Sequence, residues 1–322
     1  VRSFSHFRKN VFAVQRLCVY LSTVQQRQEL VYFDRYAGKL KTESIYGEKP
    51  LRWAYGTTIG RFCLETTIKQ RWFSKLYGRW ADCACSSSEI LPFIERFEID
   101  TKDFLERPES YQTFNEFFYR RLKPEARPLC EADNSACFPA DGRQLVIPNL
   151  DRATHIYAKN QQFDLFNLLG DGSLTEKFTG GSAVISRLCP IDYHRFHFPL
   201  SGKPGAARLI NGPLYSVNPI ALSHSFSYLW QNKRKITQVK ESPAGDYLIL
   251  EIGATNVGSI VDSGWATSVA KGDEKGFFKF GGSMVITLFQ AGRFTPAADL
   301  AEHSALGVEL YARFGDVMGK IS

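Results

Sequence analysis

Residues 276–290 read Gly276-Phe-Phe-Lys-Phe-Gly-Gly-Ser-Met-Val-Ile-Thr-Leu-Phe-Gln290: two apolar runs joined by two glycines and a serine. Gly276–Phe280 and Met284–Phe289 both read as short buried strands, because they are β-branched or aromatic runs bounded by glycine. Gly281 and Gly282 permit backbone angles closed to other residues and leave the Gly282 carbonyl unshielded beside the Ser283 hydroxyl. A hydroxyl in that position can attack the preceding carbonyl, cut the chain and turn the serine into a cofactor.

The same strand signal recurs upstream, at Ala183–Leu188, Arg195–Phe198, Arg208–Ile210, Lys235–Val239, Tyr247–Gly253 and Gly258–Val261. These runs alternate with Gly/Pro/Asn/Asp turns and have no βαβ rhythm, which argues against a doubly wound parallel sheet. Residues 45–130 read instead as helices: Ile59–Tyr77 has apolar residues at helical spacing, Phe114–Leu122 is a second helical stretch, and Asp100 or Thr101 is a candidate cap. Lys123-Pro-Glu-Ala-Arg-Pro128 breaks the pattern. The expected class is α+β: a basic N-terminal extension over 1–44, a helical membrane-associating region over 45–130, and a mostly antiparallel β catalytic domain over 131–322.

The chain has 322 residues and a net charge of +7, concentrated near the N-terminus. A basic excess favours an anionic partner, lipid headgroups or nucleic acid, and equally fits a solvated surface. No nucleic-acid module is recognisable, so lipid is the expected partner and nucleic acid is not. In residues 52–80, six basic residues and seven aromatics surround a single acidic residue, Glu65. That mixture suits an amphipathic element at a membrane interface, or a core helix with a wet basic face. No apolar run reaches the roughly 18–20 residues that span a bilayer. The seven cysteines, at 18, 63, 83, 85, 130, 137 and 189, show no disulfide framework and read as reduced thiols in the cytosol.

Three segments carry chemistry: Phe138-Pro-Ala-Asp-Gly-Arg143, Leu188-Cys-Pro-Ile-Asp-Tyr-His-Arg-Phe-His-Phe-Pro199, and Gly281-Gly282-Ser283. Each alone is ordinary. Asp192-x-His194-x-x-His197 is a weak metal pattern in a strand, and no metal is expected. Together the three segments supply an acid, a base and a nucleophile.

These residues, taken in order, closely resemble the phosphatidylserine decarboxylase family. The resemblance rests on Phe114-Asn-Glu-Phe-Phe118, Lys123-Pro-Glu-Ala-Arg-Pro128, Pro139-Ala-Asp-Gly142, Asp192-Tyr-His-Arg-Phe-His197, Tyr215-Ser-Val-Asn-Pro219, Gly253-Ala-Thr-Asn-Val-Gly-Ser-Ile260 and Gly272–Ser283. It covers residue 32 to the end and is nearest the bacterial branch with a Gly-Gly-Ser cleavage site. The resemblance implies a proenzyme that cuts itself between Gly282 and Ser283 into fragments 1–282 and 283–322. It implies that Asp141, His197 and Ser283 form the self-cleavage triad, and that Ser283 becomes a covalent pyruvoyl cofactor. It implies that His194 assists the decarboxylation of phosphatidylserine to phosphatidylethanolamine and CO₂. Tyr215, Asn218, Thr255 and Asn256 are the expected substrate neighbours. The implied location is peripheral, on the cytoplasmic face of the cell membrane at an anionic surface, and a homodimer is compatible with it.

One position departs from the family pattern: Met284 stands where Thr or Ser usually follows the cleavage serine. Two alternatives therefore stay open, a pyruvoyl decarboxylase of a free amino acid and an uncleaved, inactive lipid-binding homologue.

Overall fold

The computed structural model describes residues 29–152, 163–255, 259–281 and 283–322. Most of the basic extension, together with Asn256 and Gly282, lies outside the described residues. Among those described, the strands in chain order are β1 (Val31–Asp34), β2 (Lys39–Thr42), β3 (Ser135–Cys137), β4 (Gly142–Ile147), β5 (Ser182–Leu188), β6 (Arg195–His197), β7 (Lys203–Pro204) and β8 (Arg208–Ile210). There follow β9 (Arg234–Ser242), β10 (Gly245–Gly253), β11 (Ile260–Asp262), β12 (Glu274–Phe278), β13 (Ser283–Phe289), β14 (Phe294–Pro296), β15 (Glu309–Ala312) and β16 (Val317–Ile321).

The main sheet has the order β2-β1-β15-β4-β5-β13-β10-β9-β7, with β8 also on β9. Two three-stranded sheets, β11-β12-β6 and β14-β16-β3, accompany it. Among the described residues only the β1–β15 pair is parallel, so the mixed α+β class with a mostly antiparallel sheet holds. Residues 31–42, expected within the extension, instead form a hairpin on the edge of this sheet.

The central strands are buried on both faces, and this is why they read as nearly unbroken apolar runs. On one face, Val146, Val184, Leu188, Ile249, Val285 and Phe289 join a core completed by Phe196, Phe198 and Phe278 of the small sheet. On the other, Leu145, Ile185, Leu250, Met284, Ile286 and Leu288 pack under residues 163–178 and 217–229. Strand alternation therefore puts Ser283 with Val285 on the first face and Met284 on the second. Met284 is fully buried there. Its side chain projects away from the Ser283 hydroxyl and fills the opposite core.

The first core encloses one ion pair. Lys275 of β12 and Glu251 of β10, both fully buried, meet at 2.9 Å, and the ammonium also lies over the Trp265 ring. Replacing Lys275 by Met strands a carboxylate in hydrocarbon. We expect a loss of about 3–5 kcal/mol, read as a shift of the urea midpoint at unchanged slope. A loss below about 1 kcal/mol would show the carboxylate relaxing to water.

The helical layer begins with α1 (Glu48–Gly56), α2 (Thr58–Cys63) and α3 (Arg71–Ala81), then α4 (Ile90–Arg96) and α5 (Phe114–Phe118). The expected helix over 59–77 is interrupted. A wide π-turn occupies Leu64–Ile68, and Gln70 is extended at φ −75°, ψ 141°. The run Thr66-Thr67-Ile68 is β-branched and a poor helix former, which fits a break at this point. Residues 101–107 form turns and bends rather than a helix capped by Asp100 or Thr101, and the second helical stretch ends at Phe118. At α5, Thr113 Oγ1 accepts the Glu116 N–H while Glu116 reaches back to the Gln112 N–H, much as in a capping box.

Candidate active site

Phe280 joins the two halves of the molecule. Its ring sits in the helical core, with centroids 5.0 Å from Phe114, 4.9 Å from Phe118 and 5.5 Å from Tyr77. Its amide donates to Asn115 Oδ1 at 2.7 Å, and the Asn115 Nδ2 donates in turn to Asp82. The Phe-Asn-Glu-Phe-Phe segment thus clamps the chain just before the glycines. Gly281 then takes φ +139°, in the region that favours glycine. Ser283 enters β13 with Leu188 on one side and Gly253 on the other. Its Oγ is fully buried and has no hydrogen-bond partner among the described residues.

Asp141 precedes β4. Gly142, at φ +153°, lets that strand approach β5 so closely that a Cβ would lie 2.3 Å from the Arg187 carbonyl oxygen. Leu188 is therefore flanked by Gly142 and Ser283, which puts Asp141 about 10 Å, two strand spacings, from the serine. The carboxylate is held by Arg127, whose Nε lies 3.0 Å from both oxygens and whose Nη2 lies 2.6 Å from Oδ2. The Phe314 N–H adds a 2.8 Å bond.

His197 is on β6, and its ring stacks on Phe314 at 3.6 Å. Asp141 and His197 thus share Phe314 as a neighbour, but no hydrogen bond joins them. Nδ1 faces the Gly272 carbonyl at 3.0 Å, which assigns the proton to Nδ1 and leaves Nε2 as the acceptor, 3.4 Å from the Tyr193 hydroxyl. Neither Asp141 nor His197 is in hydrogen-bond contact with Ser283.

His194 lies closer to the cleavage segment. It stacks on Phe118 at 3.7 Å, and Phe118 packs on Phe280. Its Nδ1 donates to the Asp192 carbonyl at 3.0 Å, and its buried Nε2 has no partner among the described residues. Burial pushes the His194 imidazole down to about 3 and that of His197 to about 4. Both are therefore neutral at neutral pH.

The turn carrying His194 is pinned from two sides. Arg120 Nη2 donates to the Ile191 and Asp192 carbonyls at 3.0 and 3.3 Å. The Asp192 carboxylate accepts from Arg143 at 2.9 Å and from the Cys189 N–H at 2.7 Å.

A cavity of about 510 Å³ opens between the helical layer and this segment. Leu51, Tyr46, Phe73 and Tyr77 line one wall, and Leu188, Phe280 and Gly281 the other. Asn218 and Thr255 line it as well. Tyr215 does not: its hydroxyl is taken by Glu65 and Lys69. Asn256 lies outside the described residues. Arg127, Phe118, Asn115 and Phe280 were not singled out by sequence reading as site residues, although all four fall inside the motifs quoted for the family.

The whole arrangement has close relatives. A family model described as phosphatidylserine decarboxylase matches residues 114–315. The chain is 39% identical over 295 residues to the phosphatidylserine decarboxylase proenzyme of Chlamydia felis, covering 91% of this chain and 98% of that one. It is 40% identical over 296 residues to the enzyme of the same name from Chlamydia muridarum, covering 92% and 98%. A family match over more than half of the chain, with relatives aligned across nearly their whole length, makes this protein a member of the phosphatidylserine decarboxylase family of carboxy-lyases.

Proposed function

We propose that this protein decarboxylates phosphatidylserine to phosphatidylethanolamine, using a pyruvoyl group that it makes from Ser283. The observation that carries this reading is the Ser283 hydroxyl, buried with no partner among the described residues, two positions after Gly281, which lines the cavity. In the maturation step the Oγ attacks the Gly282 carbonyl carbon, and the amide becomes an ester. Loss of the Ser283 α-proton expels residues 1–282 as a carboxylate, and hydrolysis of the resulting enamine releases ammonia. Glycines that leave the carbonyl unshielded and a buried hydroxyl favour that attack. His197, neutral and with Nε2 as its acceptor nitrogen beside the Tyr193 hydroxyl, is the proposed base. Asp141 acts through the Arg127–Phe314 frame rather than by direct contact.

The residues present fit such a group: a serine after two glycines, a buried histidine nitrogen with no partner among the described residues, and a mostly apolar cavity at Gly281. When formed, the pyruvoyl ketone binds the substrate amine and supplies the electron sink for loss of CO₂. His194 Nε2 takes a proton released as the amine engages and returns it to the substrate carbon. Phe118 and Phe280 exclude water around that proton. Asn218 and Thr255, which line the cavity at Gly281, are the proposed neighbours of the substrate carboxylate. The test is CO₂ release from phosphatidylserine in mixed micelles, with intact mass measured on the same sample. Two fragments and preference for the lipid over free serine or tryptophan support the reading. A single 36.5 kDa species without activity would refute it.

The lipid must be reached at a surface. No helix among the described residues is long and apolar enough to cross a membrane. Ile59, Phe62, Trp72, Leu76 and Trp80 are nevertheless exposed, at 71, 69, 58, 61 and 37%. Arg61, Lys75 and Arg79 are exposed beside them. This fits peripheral docking at an anionic bilayer. Replacing Phe62, Trp72 and Leu76 together by serine removes about 3 kcal/mol of apolar burial, roughly a hundredfold in partitioning. Vesicle co-sedimentation should show that loss, with autocleavage unchanged. Undiminished sedimentation would remove these helices from the interface.

A further inference from the structure

A second cavity, of about 360 Å³, lies on the other side of Phe280 and is not accounted for by the chemistry above. Arg71, Lys75 and Arg79 of α3 form one wall, and Lys233 and Lys279 contribute from the other. Among the described lining residues the only carboxylate is Asp82, and it is engaged by Lys279 at 3.0 Å and by Asn115. Lys75 and Arg79 are exposed and form no salt bridge with a described residue. Burial and the nearby Arg71 and Lys235 charges lower the Lys233 ammonium, as expected where cations outnumber acids. Such an excess in a concave site calls for an anion.

The three faces of α3 indicate which anion. Phe73 and Tyr77 turn toward the apolar cavity, Trp72, Leu76 and Trp80 toward the exterior, and Arg71, Lys75 and Arg79 toward the basic one. The basic face therefore borders both the exposed apolar stripe and, across Phe280, the cavity at Gly281. A ligand that bridges these surfaces carries a phosphate next to hydrocarbon. The four-residue step from Lys279 to Ser283 limits their Cα separation to about 14 Å. In a serine phosphodiester the phosphorus is three bonds from the amine-bearing carbon, so a lysine or arginine side chain can cover the remainder.

We infer that this pocket is the phosphodiester subsite: it grips the headgroup phosphate of the glycerophospholipid whose amine is presented at residue 283. The inference rests on the decarboxylase reading. Arginine and lysine supply charge-assisted bonds to phosphate oxygens, and Phe280 stands between the phosphate and the reacting amino-acid end of the headgroup.

The test uses the full-length wild-type protein and the Lys75→Ala/Arg79→Ala double variant, both changes being on exposed side chains. Glycerophosphoserine and inorganic phosphate are titrated into each by calorimetry. KM and kcat are measured on dihexanoyl phosphatidylserine below its micellar concentration, so that membrane docking does not contribute. We expect wild type to bind glycerophosphoserine more tightly than inorganic phosphate. The double variant should weaken that binding and raise KM by roughly tenfold or more, with a much smaller change in kcat. Equal binding of the two ligands with an unchanged KM would mark a free-phosphate site and overturn the headgroup assignment. Absence of binding, or binding indifferent to the two substitutions, would overturn the site altogether. A wild-type protein that binds glycerophosphoserine through Lys75 and Arg79 but releases no CO₂ would instead sink the decarboxylase reading and leave the pocket standing.

Discussion

Replacing Ser283 by alanine should leave a single uncut chain of about 36.5 kDa with no decarboxylase activity, and should leave the fold as stable or more so. The first half follows from chemistry. Without the Oγ nothing attacks the Gly282 carbonyl, and without that cut no ketone arises at position 283. The whole catalytic gain is therefore forfeited, at least about 10⁶-fold. The second half follows from the environment. The hydroxyl is fully buried and has no partner among the described residues, which offer nothing to offset its desolvation, on the order of 1–3 kcal/mol. Alanine removes that penalty and changes little volume. A denaturing gel, an intact mass and a thermal midpoint decide the matter together. Cleavage at 282 in the alanine variant would remove Ser283 as nucleophile. A sharp fall in stability would mean that the hydroxyl is structural.

Gly281-Gly282-Ser283 stood out in the sequence because two glycines and a hydroxyl interrupt an otherwise apolar run. The central strands β5, β10 and β13 were legible for the opposite reason: burial on both faces forces an unbroken apolar run. β1 and β2 were not. Lys39-Leu-Lys-Thr42 is exposed along most of its length and is held by pairing at the edge of the sheet, which leaves no hydrophobic period to detect. The break after Cys63 was equally hidden, because apolar spacing continued through a stretch whose backbone did not follow it.

At the candidate site, the connections between residues could not be read from the sequence. A triad reading draws a bond from Asp141 to His197. The structure gives the acid to Arg127 and the imidazole N–H to the Gly272 carbonyl. Both partners are distant in sequence and carry no signature of the pairing. Met284 is the converse case. As a departure from the family pattern it drew attention to catalysis, yet alternation turns it into the opposite core, where a methionine packs well.

Replacing His194 by glutamine should separate the two reactions proposed for the site. Glutamine preserves size and can still donate to the Asp192 carbonyl, so the turn pinned by Arg120 and Arg143 should persist and the chain should still cut itself. Decarboxylation should fall by about 10²–10⁴-fold, the usual worth of a positioned proton carrier. Burial sets the direction of the proton flow. An imidazole pushed down to about 3 is uncharged at neutral pH, and its N–H is already committed to a carbonyl. It must therefore enter as a base at Nε2 and can return only a proton it has first received. The same depression has a consequence for stability. The unfolded histidine titrates near 6.5 and the folded one near 3, so the unfolded state binds more protons over that interval. Stability contributed by the neutral form is complete above pH 6.5 and is lost as pH falls, by on the order of 1.4 kcal/mol per unit. Glutamine abolishes that slope. Denaturant midpoints at pH 7.5 and 5.5 should therefore differ less in the variant than in the wild type, and the two fragments should still appear on a gel. Activity within tenfold of wild type would transfer the proton to another group. Failure to cleave would instead place His194 in the maturation step, beside Ser283 rather than after it.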